Sequence, residues 1–371
     1  MRSPLDRRSN WFGDGDYGLD RLSPVSNVFV EELVEEALHQ ATRSTKASIW
    51  RRRRRYVKAL RKQQHRFETR LQRRWDPAFE VFDLCHLLSR QIGSEINTAR
   101  VADAQARNDF VYWVLVRLHA RACLVASEVR SLLFSGHASG AHARWRSIHE
   151  IAVVSSFIQD QGQDVAERYM NHHAIQVAKS ARLYQEHCER LGQAPHEPEV
   201  MERLERERRQ LIMRSGKPFD TEWGWAASAL GVPKPTFTQL EPATSRDHFK
   251  PYYRMASFSI HPQIHSIHFS LGNSYPDEVL LAGPSNVGFT DPAHATLIAM
   301  LQITTGLGAN YATENSAILL PILLDLTDLA GDAFLAIDQQ IEQEEVEIRG
   351  KVPSADHDPT SESRSSNLDT D

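Results

Sequence analysis

The stretch that decides the fold is FSGHASGAHARWRSIHEIAVVSSFI, residues 134–158. It opens with turn-forming serines and glycines and becomes almost entirely apolar after Ile148. In a helix, residues three or four apart share one stripe, which places Arg146 and Glu150 among apolar neighbours. A helix that is apolar on most sides is covered by other helices. The sequence therefore predicts a central helix with two charges in a mostly dry place, where each needs a partner.

Helical periodicity continues on both sides of this stretch. Residues 108–133 form a long apolar pattern, and Gly136 predicts a short turn, so the two helices should form an antiparallel hairpin. Only residues 278–289 show a weak alternating pattern of the kind that strands have. We therefore predict an all-α fold, a large bundle of antiparallel long helices. Residues 215–245, rich in Pro and Gly, interrupt it as an irregular insertion typical of a lid or binding loop.

Composition predicts four parts along the chain. Pro77, directly after Asp76, predicts that the N-terminal helices end there. The four parts are a flexible leader (residues 1–24), N-terminal helices (25–75) that include a basic helix (43–74), an all-α core domain (76–349) and a disordered acidic tail (350–371).

Several classes of protein are excluded by composition. The 41% hydrophobic and 25% charged fractions are ordinary for a soluble protein, and no run of about 18 apolar residues lacks a charge or a break, so no transmembrane segment is expected. Three widely spaced cysteines argue against disulfides and thiolate zinc sites, which indicates a cytoplasmic location. The sequence contains no glycine-rich loop of the kind that binds a phosphate, so no cofactor is predicted. His261, His265 and His268 have helical spacing, but Pro262 and the lack of an acid favour ordinary histidines over a metal site.

The net charge of −5 conceals a strongly basic segment, residues 43–74. It holds fourteen Lys or Arg residues against one acid, Glu68, and so carries +13. Four interpretations are open: nucleic-acid or nucleotide binding, a membrane surface, contact with the acidic remainder of the chain, or a solvated face without a partner. A homo-oligomer is also open. Nucleic-acid binding would fall on Arg51, Arg52, Arg53, Arg54, Arg55, Lys58, Arg61 and Lys62.

Arg144 and His149 match the pattern that marks ribonucleases of the all-α HEPN superfamily, an arginine followed after four to six intervening residues by a histidine. Composition alone produces about five such pairs in this chain. Six occur. The pair therefore carries almost no information about nuclease activity.

Two longer patterns carry more information than this pair does. R-x3-E follows a turn containing Gly140, and S-x3-H-P follows a segment containing Tyr252 and Tyr253. Together they resemble the bacterial domain-of-unknown-function family 5677, over about residues 76–330. Trp145 departs from that pattern, because a smaller or aliphatic residue is expected beside the arginine. The residues that carry the two patterns are Arg146, Glu150, Ser257 and His261.

The resemblance implies that these four residues share one polar pocket between helices. In a catalytic interpretation, Glu150 orients His261, Arg146 binds an anion and Ser257 donates a hydrogen bond. The chain would then bind a nucleotide or RNA, as a HEPN-like nuclease in a defence or stress context. In the alternative interpretation, the four form a satisfied buried network that fixes helix packing in a non-catalytic interaction protein. Whether the chain is an enzyme stays open at this point.

Overall fold

A computed structural model describes residues 24–262, 264–274 and 280–351, and every regular element in these ranges is helical. The predicted all-α fold is confirmed. The predicted leader and tail lie outside the described residues, except for their innermost positions. The helices are α1 (Pro24–Arg107), α2 (Phe110–Phe134), α3 (Ala138–Gln161), α4 (Gln163–His187), α5 (Pro198–Ser215), α6 (Ala227–Leu230), α7 (Phe237–Ala243), α8 (Lys250–Phe258), α9 (Ile264–His268), α10 (Thr290–Tyr311) and α11 (Glu314–Lys351).

The chain divides into two compact units, Met1–Phe67 and Glu68–Asp371. In the first unit, the described residues form only the N-terminal part of α1. Nearly all of their side chains are exposed, including Trp50 at 67% and Leu60 at 63%. A single helix has no core of its own, so its stability must come from helix propensity and local pairs.

Pro77 does not end the N-terminal helices, so that prediction was wrong. Helix α1 continues through Pro77, although proline removes one helical hydrogen bond and costs about 3 kcal/mol inside a helix. Trp75 and Phe79, on either side of it, are fully buried in the second unit. Burying one such side chain contributes roughly 1.5–3 kcal/mol. Packing therefore offsets the break that the local sequence predicts.

The predicted hairpin of α2 and α3 is confirmed. Gly136 has φ +85°, a conformation that glycine adopts without a Cβ penalty, and its N–H donates to the Leu133 carbonyl. Both helices contact α10. Among the described residues, α2 alone is long and apolar enough to cross a membrane, but a core helix meets the same criterion. Its buried residues, Val114, Val125 and Val129 among them, lie in the helical core.

Helix α3 is central, as predicted, because it contacts α2, α4, α7, α8 and α10. Ala141, Trp145 and Ile148 are almost completely buried along one stripe. The two charges are less buried than predicted: the side chains of Arg146 and Glu150 keep 27% and 34% of their exposure. They lie at the edge of the core, where water still reaches them.

The insertion at 215–245 folds into short helical pieces rather than one irregular loop. Two 3₁₀ turns, Lys217–Asp220 and Gly224–Ala226, precede α6 and α7. Phe219 and Leu240 are fully buried within it. The weak strand pattern at 278–289 gives no strand over its described part, residues 280–289.

Candidate functional site

The two sequence patterns meet at a polar cluster between α3 and α8. Arg146 Nε donates to Glu150 Oε1 at 3.1 Å, one turn along α3. Arg146 Nη1 donates to Ser257 Oγ at 3.3 Å, across from α8. The same Glu150 oxygen accepts a 2.6 Å hydrogen bond from the Tyr253 hydroxyl. Three of the four predicted site residues are thus brought together, and Tyr253 joins them.

Tyr253 is the centre of this cluster. The Arg146 guanidinium lies over its ring, with Cζ 4.4 Å from the ring centroid. Burial and the hydrogen bond to Glu150 raise the pKa of Tyr253. Its carbonyl also accepts a 2.8 Å hydrogen bond from the Ser257 hydroxyl. Tyr253 lies in the tyrosine-containing segment that precedes the S-x3-H-P pattern, but that pattern does not indicate its contact with Glu150.

His261 is placed apart from the other three. It follows the end of α8, where its backbone N–H donates to the Ser257 carbonyl at 3.1 Å. Its side chain is exposed. Among the described residues, the structure shows no hydrogen bond or ion pair between its imidazole and Glu150. The two acceptor contacts of Glu150 go to Arg146 and Tyr253 instead.

A buried aromatic stack lies beside the cluster. On α3, the Trp145 ring stacks on His142 at 5.4 Å and on His149 at 5.3 Å, which explains the large residue beside Arg146. His149 Nε2 lies 3.3 Å from Glu241 Oε1 of α7, and both side chains are almost fully buried. Burial lowers the pKa of His149 to about 4 and raises the pKa of Glu241, so burial disfavours the charged form of each.

An aromatic cleft of about 790 Å³ opens between α2, α4 and the insertion. Trp223 and Trp225 come from the insertion, and Tyr169 from α4. Arg117 of α2 also lines the cleft and lies over the Trp113 ring. The insertion thus contributes to a cavity large enough for a small molecule.

Metal ligands are not gathered in the described residues: no group of three or more His, Cys, Asp or Glu side chains could hold an ion there. His265 and His268 lie on α9, whereas His261 precedes it. The three cysteines are buried and unpaired.

The basic segment is exposed along the first unit. Of its eight predicted nucleic-acid-binding residues, seven are exposed and Arg53 is half-buried. Arg53 donates to its own helix at the Trp50 carbonyl, 2.7 Å away, and lies over the Trp50 ring.

The fold and the polar cluster define this chain as an all-α protein in which hydrogen bonds between polar side chains join two helices, α3 and α8. Within that class, residues 112–278, somewhat under half of the chain, match the model of a family of unknown function, DUF5677. The matched range contains both sequence patterns and excludes the basic segment, which confirms the resemblance over that part. No curated protein and no solved structure matches the chain.

Proposed function

We propose that this chain is a non-catalytic helical protein that binds RNA or single-stranded DNA through the basic segment, residues 43–74. The exposure of seven of the eight cations from Arg51 to Lys62 carries the proposal, whereas Arg74, at the end of the segment, is ion-paired with Glu344. Within the described part of the first unit, none of the eight cations between Arg51 and Lys62 forms an ion pair with an acid. Phosphates of a nucleic acid would supply the missing negative charge and release counterions.

The arrangement of these cations suits a continuous phosphate backbone. Helical spacing places six of the eight within an arc of about 120°. Those six are Arg51, Arg54, Arg55, Lys58, Arg61 and Lys62. The exposed Trp50 ring lies at one edge of this arc, whereas the exposed Tyr56 falls on the opposite face of the helix. Bases that are not stacked in a duplex can stack on the Trp50 ring, which favours a single strand.

The polar cluster belongs to this proposal as a structural network rather than a catalytic centre. Glu150 Oε1 accepts from both Arg146 and Tyr253, and within the described part of the chain neither of its carboxylate oxygens contacts the His261 imidazole, as a catalytic pair would require. The contact between Arg146 and Ser257 favours the nuclease interpretation, because it joins both patterns in a half-exposed place. We therefore keep the HEPN-like nuclease as the second candidate.

A cytoplasmic location is part of the same proposal. The free thiols of Cys85, Cys123 and Cys188 support it, because buried unpaired cysteines suit a reducing compartment.

Binding of a labelled random RNA by fluorescence anisotropy tests the proposal. Replacing Arg51, Arg54 and Arg55 by Gln should weaken binding about tenfold or more, because three phosphate contacts are lost. The matched control replaces Arg203, Arg206 and Arg209 of α5, which are also exposed. These three alternate with glutamates, so their loss should leave binding unchanged. Equal weakening by both variants, or tighter binding to anionic vesicles than to RNA, would contradict the proposal.

A further inference from the structure

A second polar cavity, of about 300 Å³, lies between α3 and α10 in the second unit. Ser155, on α3, lies nine residues beyond Arg146, about 13 Å along the helix axis, so this cavity is distinct from the polar cluster. Its polar lining consists of hydroxyl and amide side chains and one cation: Ser155, Ser156, Gln159, Gln302, Thr305 and Arg246.

Arg246 lies just beyond the end of α7 and lines this cavity. The Arg246 N–H donates to the Glu241 carbonyl at 3.0 Å, and the Ser245 N–H donates to the Pro242 carbonyl at 3.1 Å. This pair of bonds is a Schellman motif, whose left-handed position normally holds glycine. Here Ser245 occupies it with φ +55°. A left-handed conformation costs a residue with a Cβ roughly 1–2 kcal/mol.

The Arg246 charge meets only neutral acceptors. Its Nη1 donates to Ser156 Oγ at 2.8 Å and to the Thr244 carbonyl at 3.0 Å, and its Nε donates to Gln302 Oε1 at 3.3 Å. No acid among the described residues forms an ion pair with Arg246, although the charge of Asp160 acts on Arg246 from further away. A partly buried cation that has no counter-charge in direct contact is unfavourable unless something else supplies one.

Donors around this cation are also unused. Ser155 is 95% buried, at 5% exposure, and its hydroxyl has no hydrogen-bond partner. The side-chain nitrogens of Gln159 and Gln302 make no hydrogen bond within the described residues. Leaving a buried hydroxyl unpaired costs about 1–3 kcal/mol. An occupant that accepts hydrogen bonds would satisfy all three.

We propose that this cavity binds a small oxyanion, a phosphate or carboxylate group, with the Arg246 guanidinium as counter-charge and the Ser155 hydroxyl and glutamine amides as neutral donors. The positive charge of Arg246 disfavours a cation as the occupant, and the unused donors match the oxygens of an anion. A cavity of about 300 Å³ fits a phosphate or carboxylate with a short substituent, at the lower limit of small-molecule sites. The site is independent of RNA binding by the basic segment.

Calorimetric titration of the full chain tests this inference, with inorganic phosphate and acetate as probes and chloride at matched ionic strength as the blank. Saturable binding of either probe at one site supports it, and the preferred probe distinguishes the phosphate from the carboxylate class. No saturable heat with either probe would overturn it.

Ser155→Ala separates ligand binding from a structural role. Because the hydroxyl has no partner in the protein, its removal should leave the melting temperature unchanged or higher. It should weaken oxyanion binding roughly fivefold to tenfold, the loss of one hydrogen bond. Unchanged oxyanion affinity in this variant would overturn the proposed donor.

Arg246→Gln should abolish binding of the oxyanion. Arg130→Gln is the matched control, since Arg130 is also partly exposed but is paired with Asp83; it should bind as the wild type does. The triple variant of Arg51, Arg54 and Arg55 should also bind normally. Loss of oxyanion binding in that triple variant, with retention in Arg246→Gln, would overturn the site and place the anion on the basic segment.

Discussion

Arg146 Nη1 on α3 donates a hydrogen bond to Ser257 Oγ on α8, 3.3 Å away and 111 residues further along the chain. The same guanidinium donates a hydrogen bond to Glu150 Oε1, and this oxygen also accepts one from the Tyr253 hydroxyl. Each member of this network therefore has its partner inside it. These contacts fix α8 against α3.

Glu150→Ala should destabilise the fold, because it removes the charge partner of Arg146 and the acceptor of Tyr253. Since the side chains are partly exposed, we expect about 1–2 kcal/mol. That corresponds to a fall of several degrees in melting temperature for a unit of this size. Glu167→Ala, which removes a 3.8 Å pair with the exposed Arg214, is the control and should melt nearly as the wild type does. If Glu150→Ala and Glu167→Ala had the same melting temperature, the structural role of the network would be contradicted.

The structural network also predicts the outcome of a nuclease assay. Purified wild-type chain should not hydrolyse RNA above the background of the His261→Ala and Arg146→Ala variants. The reason is that Glu150 is engaged by Tyr253 and does not contact His261. Turnover by the wild type that is lost in both variants would restore the nuclease interpretation.

Gly93 provides a test of the packing of α1 on α2. A Cβ at this position would overlap the His119 imidazole, which is buried and lies 3.2 Å from Thr304 Oγ1. Gly93→Ala should therefore destabilise the chain by about 1–3 kcal/mol, measured by urea unfolding, although alanine is the better helix former.

Gly140→Ala is the matched control for Gly93→Ala. The nearest atom to its Cβ belongs to Leu132 at 3.6 Å, an ordinary contact. It should be neutral or stabilise the chain by up to about 1 kcal/mol, from helix propensity alone. If Gly93→Ala were as stable as Gly140→Ala, Gly93 of α1 would not lie against His119 of α2 as closely as the structure places it.

Stability should fall in acid because of buried histidines. Burial lowers the pKa of His142 and of His119 to about 4, from 6.5 in an exposed histidine. Between these values the unfolded chain binds more protons, so stability is lost as the pH falls from about 6.5 to 4. His142 Nε2 has no hydrogen-bond partner, and its ring stacks on Trp145.

His142→Phe should therefore keep the stack and reduce the loss. At pH 5 the variant should retain about 1–2 kcal/mol more of its neutral-pH stability than the wild type. Melting curves at pH 7 and pH 5 measure this, with the exposed His39→Phe as control. A loss in His142→Phe as large as that in wild type would contradict the assignment.

The sequence predicted the helical hairpin because its signals are local. A long apolar pattern, a glycine at the turn and a second apolar pattern suffice for α2 and α3. The prediction that the helix ends at Pro77 failed because the deciding interactions are not local. Trp75 and Phe79 pack against distant residues, and this packing overrides the local preference of proline.

The site was predictable only in part. Two patterns and a family resemblance named Arg146, Glu150 and Ser257, which the fold brings together. Exposure of the two charges was not predictable, since it depends on how α7 and α8 cover α3. Nothing local marks Arg246 among 35 arginines, because its position follows from a serine in a left-handed conformation.

The dependence of RNA affinity on salt tests the central claim, nucleic-acid binding by the basic segment, most directly. For single strands, the logarithm of the binding constant falls with the logarithm of salt with a slope of about −0.7 per phosphate neutralised. The wild type should show a steep slope, and the triple variant of Arg51, Arg54 and Arg55 should be shallower by about 2. The triple variant of Arg203, Arg206 and Arg209 should keep the wild-type slope. A flat response of the wild type, or identical slopes for all three proteins, would contradict the account.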